Sequence, residues 1–257
     1  MDIKMLFKGL INKAGYDMRK LNTANSLRTS SAESYALMNE LGFVPETVID
    51  VGIAKGTPEL YEAFPKSYFL LIEPLEEFES TMKSILKKYN GTYSLSAAGS
   101  EKGELVLNVH PQHLDGSSLL KESMGTEADG YERSVPIVRI DDLVNDKKLK
   151  GPFLIKIDVQ GAELNVLDGC SATLKETEAV VLEVSMFKFM KGAPVFNEVI
   201  EYMKNKGFVA YDIIFGWNRP LDNALGQVDI VFVKENGRFR KDHSYSTVEQ
   251  MEKIFGN

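Results

Sequence analysis

Asp50, Gly52 and Gly56 stand in the run Thr47-Val-Ile-Asp-Val-Gly-Ile-Ala-Lys-Gly-Thr-Pro58, and their types and spacing point to a cofactor-binding turn. Val48, Ile49 and Val51 form a short β-branched run, as in a parallel strand covered on both faces. Asp50 stands at the strand's C-terminal end, and Gly52 and Gly56 bracket a tight turn. Thr57 is placed to cap the next helix, and Pro58 suits its first position. A strand that runs into a glycine turn and a helix N-terminus offers free N–H groups to part of a nucleotide or nucleoside-like cofactor. The dinucleotide pattern G-x-G-x-x-G would need glycine at 52, 54 and 57, where the chain has Gly52, Ala54 and Thr57. The spacing therefore disfavours NAD.

Further along, Tyr68–Ile72 reads as a second strand that ends in Glu73-Pro74. An acid there, about 20 residues past the glycine turn, can accept hydrogen bonds from both hydroxyls of a ribose. Ala97-Ala98, at the end of a third strand over Thr92–Ala97, would let a flat ring approach the backbone. Phe153–Ile157 is a fourth strand that ends in Asp158-Val-Gln-Gly161, and open α/β sheets place their active sites at such strand ends. Asp158 is thus a candidate catalytic carboxylate, and Glu183, near the end of a fifth strand over Val180–Val184, is a second. His113 is a candidate general base, because an unperturbed histidine titrates near neutrality. His110 and His113 lack a neighbouring acidic or cysteine cluster at ligand spacing, so no metal site is expected. Glu163, in the first turn of a helix over Ala162–Leu174, is favoured there by the helix dipole alone.

The elements that position these groups define an α/β chain. Leu75–Tyr89 and Pro194–Lys206 read as helices, and Glu104–Val109 and Val135–Val138 as extended segments. Residues 110–134 are irregular and suit a substrate loop or lid. Phe208–Phe215 and Gln227–Lys234 are strands joined through the loop Trp217–Asp222, with no crossover helix between them, so the last pairs antiparallel. The expected fold is a doubly wound, mostly parallel seven-stranded sheet with one antiparallel strand near the C-terminus, preceded by helices. The expected divisions are an N-terminal helical extension over 1–42, a Rossmann-like domain over 43–237 and a tail over 238–257.

Composition narrows the function class. The formal net charge of −7 argues against a nucleic-acid binder with a broad basic surface. The single cysteine, Cys170, has no partner for an internal disulfide, which fits the cytoplasm. No apolar run nears the roughly 20 residues that span a bilayer, and lysines interrupt the N-terminal apolar residues, unlike a signal peptide. Lys4, Lys8, Lys13, Arg19, Lys20 and Arg28 nevertheless make residues 1–30 basic. An amphipathic helix over residues 1–20 could lie on the inner face of an anionic membrane or on a partner, or could pack on its own domain or form a homodimer.

Asp50, Gly52 and Gly56 also satisfy the acidic-then-glycine pattern that binds S-adenosylmethionine in class I methyltransferases, with Ala54 in the middle. Together with Glu73-Pro74, Arg139-Ile-Asp-Asp-Leu143 and Ile155-Lys-Ile-Asp-Val-Gln-Gly-Ala-Glu-Leu164, the chain resembles the FkbM family of S-adenosylmethionine-dependent methyltransferases over roughly residues 36–235. Gly116-Ser-Ser-Leu119 and Gln227-Val-Asp-Ile-Val-Phe232 also look like the family. The resemblance implies methyl transfer to a hydroxyl oxygen of a carbohydrate, in a glycan or a glycosylated metabolite. It implies that Asp50 lies near the cofactor's amino acid end, that Gly52, Ala54, Gly56 and Thr57 line its turn, and that Glu73 holds the ribose. Ala97 would lie beside the adenine, and Asp158 where methyl group and acceptor meet. The family usually has Ala-Asn where this chain has Ile53-Ala54, and Glu where it has Gln160. Those departures keep a second reading open, a catalytically silent module with a binding or assembly role.

Overall fold

The computed structural model describes residues 28–125 and 130–255, so the basic segment over residues 1–20 lies outside the described residues. The strands are β1 (Thr47–Val51), β2 (Tyr68–Glu73), β3 (Gly91–Leu95), β4 (Ala97–Ala98), β5 (Gly103–Val109), β6 (Tyr131–Val138), β7 (Phe153–Ile157), β8 (Thr177–Ser185), β9 (Phe208–Asn218) and β10 (Leu225–Lys234). The α-helices are α1 (Ser31–Glu40), α2 (Pro58–Ala63), α3 (Glu79–Leu86), α4 (Ile140–Asp146), α5 (Glu163–Asp168), α6 (Phe196–Asn205) and α7 (Val248–Phe255). Among the described residues no helix is long and apolar enough to cross a membrane.

Seven strands form the main sheet in the order β3-β2-β1-β7-β8-β10-β9. β10 pairs antiparallel with both β8 and β9, and the other pairings are parallel. The expected doubly wound sheet with one reversed strand near the C-terminus is therefore present. Strand order reverses between β1 and β7, which opens a crevice at their carboxyl ends. Both strands are buried throughout because helices cover both faces. Ile49, Val51, Ile155 and Ile157 pack on one face with Ile140 of α4, Val166 of α5 and Val199 of α6. Val48 and Leu154 pack on the other with Leu60 of α2 and Met82 of α3, and with Tyr35 and Met38 of α1. The α1 segment, expected within an extension, is thus part of this core.

A second sheet, β4-β6-β5, was not expected. The third main strand ends at Leu95, short of the expected Ala97. After the Ser96 N–H donates to the Glu73 carbonyl, Ala97 and Ala98 pair with Ile137 and Val138 instead. Two expected helices are shorter than read. Leu75–Tyr89 resolves into a 3-10 turn at Glu76–Phe78 followed by α3, and Ala162–Leu174 stops at Gly169, whose added Cβ would lie 1.9 Å from the Gly99 carbonyl oxygen.

Candidate functional site

The turn after β1 is shaped by main chain. Gly52 has φ +74°, and a Cβ there would lie 1.8 Å from the Asp158 carbonyl oxygen. The Gly52 N–H donates to the Ile72 carbonyl at 2.9 Å and the Asp158 N–H to the Val51 carbonyl at 3.1 Å, so three strand ends meet at this glycine. Ala54 is also left-handed, with φ 41°, and its N–H donates to Glu73 Oε2 at 3.0 Å. The Leu75 N–H donates to Glu73 Oε1 at 3.0 Å. Each oxygen keeps a second lone pair for a ligand hydroxyl. Burial pushes the Glu73 carboxyl up to about 7, against the opposing pull of the two N–H groups.

Around this turn runs a cleft built from main chain and side chains. Leu75, Phe78, Ala97, Ala98 and Leu107 form its apolar side, and Gly52, Ala54, Glu73, Asp115 and Asp158 its polar side. Its lining holds three carboxylates and no lysine, arginine or histidine. The expected residues Gly52, Ala54, Glu73, Ala97 and Asp158 are brought together here. Three others are not, and each has a physical reason. Asp50 shares the sheet face of Val48 and is fully buried, where the Tyr61 hydroxyl donates to it at 2.6 Å. Burial raises its pKa, opposed by Lys156 and by the Tyr61 hydrogen bond. Gly56, at φ +92°, turns toward Ile85 and Tyr61 rather than the cleft. Thr57 precedes α2 at the N-cap position but makes no side-chain cap hydrogen bond, and it does not line the cleft.

Side chains at the ends of β7, β8 and β10 build the other half. Asp158 Oδ2 lies 3.2 Å from Lys156 Nζ, and Gln160 Nε2 donates to Asp158 Oδ1 at 3.1 Å and to Glu183 Oε2 at 3.0 Å. Gln227 Nε2 donates to the same Glu183 oxygen at 3.0 Å, while its Oε1 accepts from Trp217 Nε1 at 2.9 Å. Asp229 lies opposite Glu183 in the β8–β10 ladder. Burial, joined by the charges of Asp158, Glu163 and Asp229, holds the Glu183 carboxyl well above the ordinary range. Burial opposes the charge of Lys156, but Asp158 and Asp50 outweigh it and keep the ammonium protonated. Gln160 itself is left-handed, at φ 55°. It is held there by Ser118 Oγ, which donates to its carbonyl, and by Glu163, which accepts from the Val159 and Gly161 N–H groups. Glu163 thus fixes this loop from the first turn of α5.

Asp158 and Glu183 are therefore brought together through Gln160. His113 is placed differently. Its Nδ1 lies 3.0 Å from Asp115 Oδ1, and its side chain is 73% exposed on a neighbouring groove. Lys156, Asp229 and Gln227 carry no role in the sequence reading, and Gln160 enters it only as a departure from the family's Glu. Two of them had a signal there: Lys156 and Asp229 are charges set inside apolar strands, and buried charges require partners.

The family model for the methyltransferase FkbM domain matches residues 50–210. The chain belongs to the FkbM methyltransferase family. Methyltransferase 1 of Beauveria bassiana (strain ARSEF 2860) is 28% identical over an alignment of 142 residues that covers 48% of this chain and 57% of that relative. The chain thus spans little more than half of the relative it matches. Among solved structures, magnesium protoporphyrin IX methyltransferase of Synechocystis PCC 6803, with bound SAM, overlaps 91% of this FkbM chain and 98% of its own, at 9% identity and TM-score 0.43. A putative RNA methyltransferase of Pyrococcus horikoshii overlaps 90% and 99%, at 15% identity and TM-score 0.43. Both overlays are loose, and the fold assignment of this FkbM protein rests on its own strand order and on the family match.

Proposed function

We propose that this FkbM protein is an S-adenosylmethionine-dependent O-methyltransferase whose acceptor is a sugar hydroxyl of a glycan or glycosylated metabolite. The observation that carries the cofactor assignment is the cleft at the β1–β2 end, where Glu73 is held by the Ala54 and Leu75 N–H groups beside the apolar Phe78, Ala97 and Leu107. The turn lacks the G-x-G-x-x-G spacing that brings a dinucleotide's pyrophosphate against the backbone, which disfavours NAD. Glu73 would hold the ribose, Ala54 and Gly52 admit the backbone-facing edge, and Ala97, Leu107 and Phe78 cover the base.

Bound in this cleft, the cofactor supplies an already activated methyl group. The protein's part is then to align an acceptor oxygen and to accept its proton. Asp158 is the base in this reading. Lys156 and Gln160 fix its two oxygens, and each oxygen retains a lone pair toward the cleft. Positioning of this kind contributes roughly 7–11 kcal/mol, and a placed base adds about 10²–10⁴-fold. The buried, unpaired Cys170 supports a cytoplasmic setting.

Two measurements test the proposal. Calorimetric titration with S-adenosylhomocysteine should saturate while NAD does not. Asp158→Asn should keep that affinity and lose about 10²–10⁴-fold in methyl transfer to a glycan extract. Unchanged turnover in Asp158→Asn would sink the assigned base. The silent-module reading is favoured by one feature, the amide of Gln160 that already ties Asp158 to Glu183. It predicts cofactor binding with no transfer in either form.

A further inference from the structure

Asp50 reaches neither the cofactor cleft nor solvent, and its surroundings give it another task. It stands opposite Lys156 in the β1–β7 register, so both side chains leave the same face of the sheet. Glu183 of β8 and Asp229 of β10, paired in the next ladder, carry two more carboxylates beside them. Asp50, Lys156 and Glu183 are buried. Tyr61 of α2 and Tyr35 of α1 face the same layer. Lys156 is the cation whose charge opposes the effect of burial at Asp50, Glu183 and Asp229. With Asp158, one ammonium therefore serves four carboxylates.

The distances show how that ammonium is divided. Asp50 Oδ2 accepts from the Tyr61 hydroxyl at 2.6 Å, and its Oδ1 is buried without a hydrogen-bond partner among the described residues. A bare buried carboxylate oxygen is costly unless an opposite charge lies near, and Lys156 is that charge. On its other side Lys156 Nζ lies 3.2 Å from Asp158 Oδ2. An ammonium and a carboxylate left to themselves close to about 2.7–2.9 Å. The longer contact is what a second carboxylate pulling from β1 produces. The difference matters for proton transfer, because an ammonium drawn fully onto a carboxylate favours the charged form and weakens it as a base.

We infer that Asp50 is a positioning residue: it draws the Lys156 ammonium back toward β1, so that Asp158 is oriented by that contact without being neutralised by it. The inference rests on the reading of Asp158 as the base of methyl transfer. The test compares wild type, Asp50→Asn, Lys156→Met and the double variant, each as the full chain with carbon-13 in its aspartate carboxyl groups. The Asp158 signal is the one lost in Asp158→Asn. Asp50→Asn should move that signal, because the ammonium closes on Asp158. The same substitution should leave it in place in the Lys156→Met background. S-adenosylhomocysteine affinity should be unchanged in Asp50→Asn. Its methyl transfer to a glycan extract should fall about 10-fold, a part of the roughly 10²–10⁴-fold that a placed base contributes. A crystal structure of Asp50→Asn should show the contact shortened from 3.2 Å to about 2.8 Å, and it decides the matter should Lys156→Met not fold. A signal and a distance that stay as they are overturn the inference, as does a signal that moves equally with and without Lys156. Transfer at the wild-type rate overturns it too. Loss of S-adenosylhomocysteine binding in Asp50→Asn alone would give Asp50 to the cofactor instead. Failure of the wild type to bind S-adenosylhomocysteine sinks the methyl-transfer reading, and the inference with it.

Discussion

At the β1–β2 end of the sheet the cleft is shaped by main chain. Gly52, the Ala54 N–H and the Leu75 N–H set its form, and Glu73 is the one ionisable side chain they engage. At the β7–β8–β10 end the shape comes from side chains, in which Asp158, Gln160, Glu183 and Gln227 hold one another across three strands. The first half has almost no tolerance for added atoms. The second tolerates exchange of its side chains at the cost of orientation and proton affinity. A binding surface common to many reactions suits the first design, and a surface tuned to one acceptor suits the second.

The sharpest way to break the comparison is to add one methyl group to the main-chain half. Gly52→Ala would place a Cβ 1.8 Å from the Asp158 carbonyl oxygen, at φ +74°. A left-handed backbone alone costs roughly 1–2 kcal/mol for a residue with a Cβ. With the clash, the expected destabilisation is on the order of 4 kcal/mol, in the range reserved for strain and overpacking. Chemical denaturation measures it, and S-adenosylhomocysteine binding should be lost as well. A stable variant that still binds would show that the strand ends can separate without consequence.

Glu73 tests the same half through its charge. Burial lifts it to about 7 from an ordinary value of 4.5, so the folded state holds this proton more tightly than the unfolded chain does. The stability it contributes is full below about pH 4.5 and is lost as the pH rises through about 7. A shift of this size corresponds to about 3 kcal/mol. Glu163, lifted by burial to about 7, and Asp229, lifted by burial to about 6, act in the same direction. Glu73→Gln should therefore flatten the decline in stability between those pH values. It should also weaken S-adenosylhomocysteine about 10–100-fold, because the amide offers one acceptor oxygen where two N–H groups now bind. A wild-type protein whose stability rises over this window would contradict the burial argument.

The side-chain half is sharpened by a pair of substitutions at Gln160. Both Gln160→Ala and Gln160→Gly remove the amide that bridges Asp158 and Glu183, so turnover should fall about 10-fold in each with cofactor affinity unchanged. They differ only in backbone. At φ 55° the glycine variant should be more stable than the alanine variant by about 1 kcal/mol. Equal stability would mean that the loop relaxes when the amide is lost, and a difference in turnover would mean that backbone strain itself serves the reaction.

The two halves were not equally legible in the sequence. Glycine turns, a helix-starting proline and an acid at a strand end are local patterns, so the β1 turn, Glu73 and Asp158 could be placed from neighbours in the chain. Local patterns did not show that Asp50 is buried against Tyr61, because which face of a doubly covered strand a residue takes is not marked when both faces are apolar. They also missed the Gln160–Glu183–Gln227 arrangement, which depends on β10 lying beside β8 in register. The small β4-β6-β5 sheet was hidden for a related reason. Its central strand follows an irregular connection and pairs with two segments that precede it, and only Glu104–Val109 and Val135–Val138 announced themselves as extended. The larger groove beside Gln160 is built almost wholly from three loops, whose composition carries no period.

The smallest effect belongs to a contact that ties the β1 turn to the 110–125 connection. Lys55, in the turn after β1, lies with Nζ 2.7 Å from Asp115 Oδ2, while His113 Nδ1 approaches the other oxygen of the same carboxylate. The lysine side chain is 76% exposed, so the pair is screened by water and salt, and exposed pairs contribute about 0–1 kcal/mol. Lys55→Ala should change global stability by less than about 0.5 kcal/mol. Its consequence is local, because Asp115 lines the cleft from the 110–125 connection and Lys55 holds that connection against the β1 turn. Release of S-adenosylhomocysteine should quicken by about 2–3-fold in low salt, and the difference from wild type should fade as salt is raised. Stopped-flow displacement at two ionic strengths measures both quantities. A rate change that persists in high salt would assign the effect to packing of the lysine stem, and no change at either strength would mean that the connection is held by Ser118 and Gln160 alone.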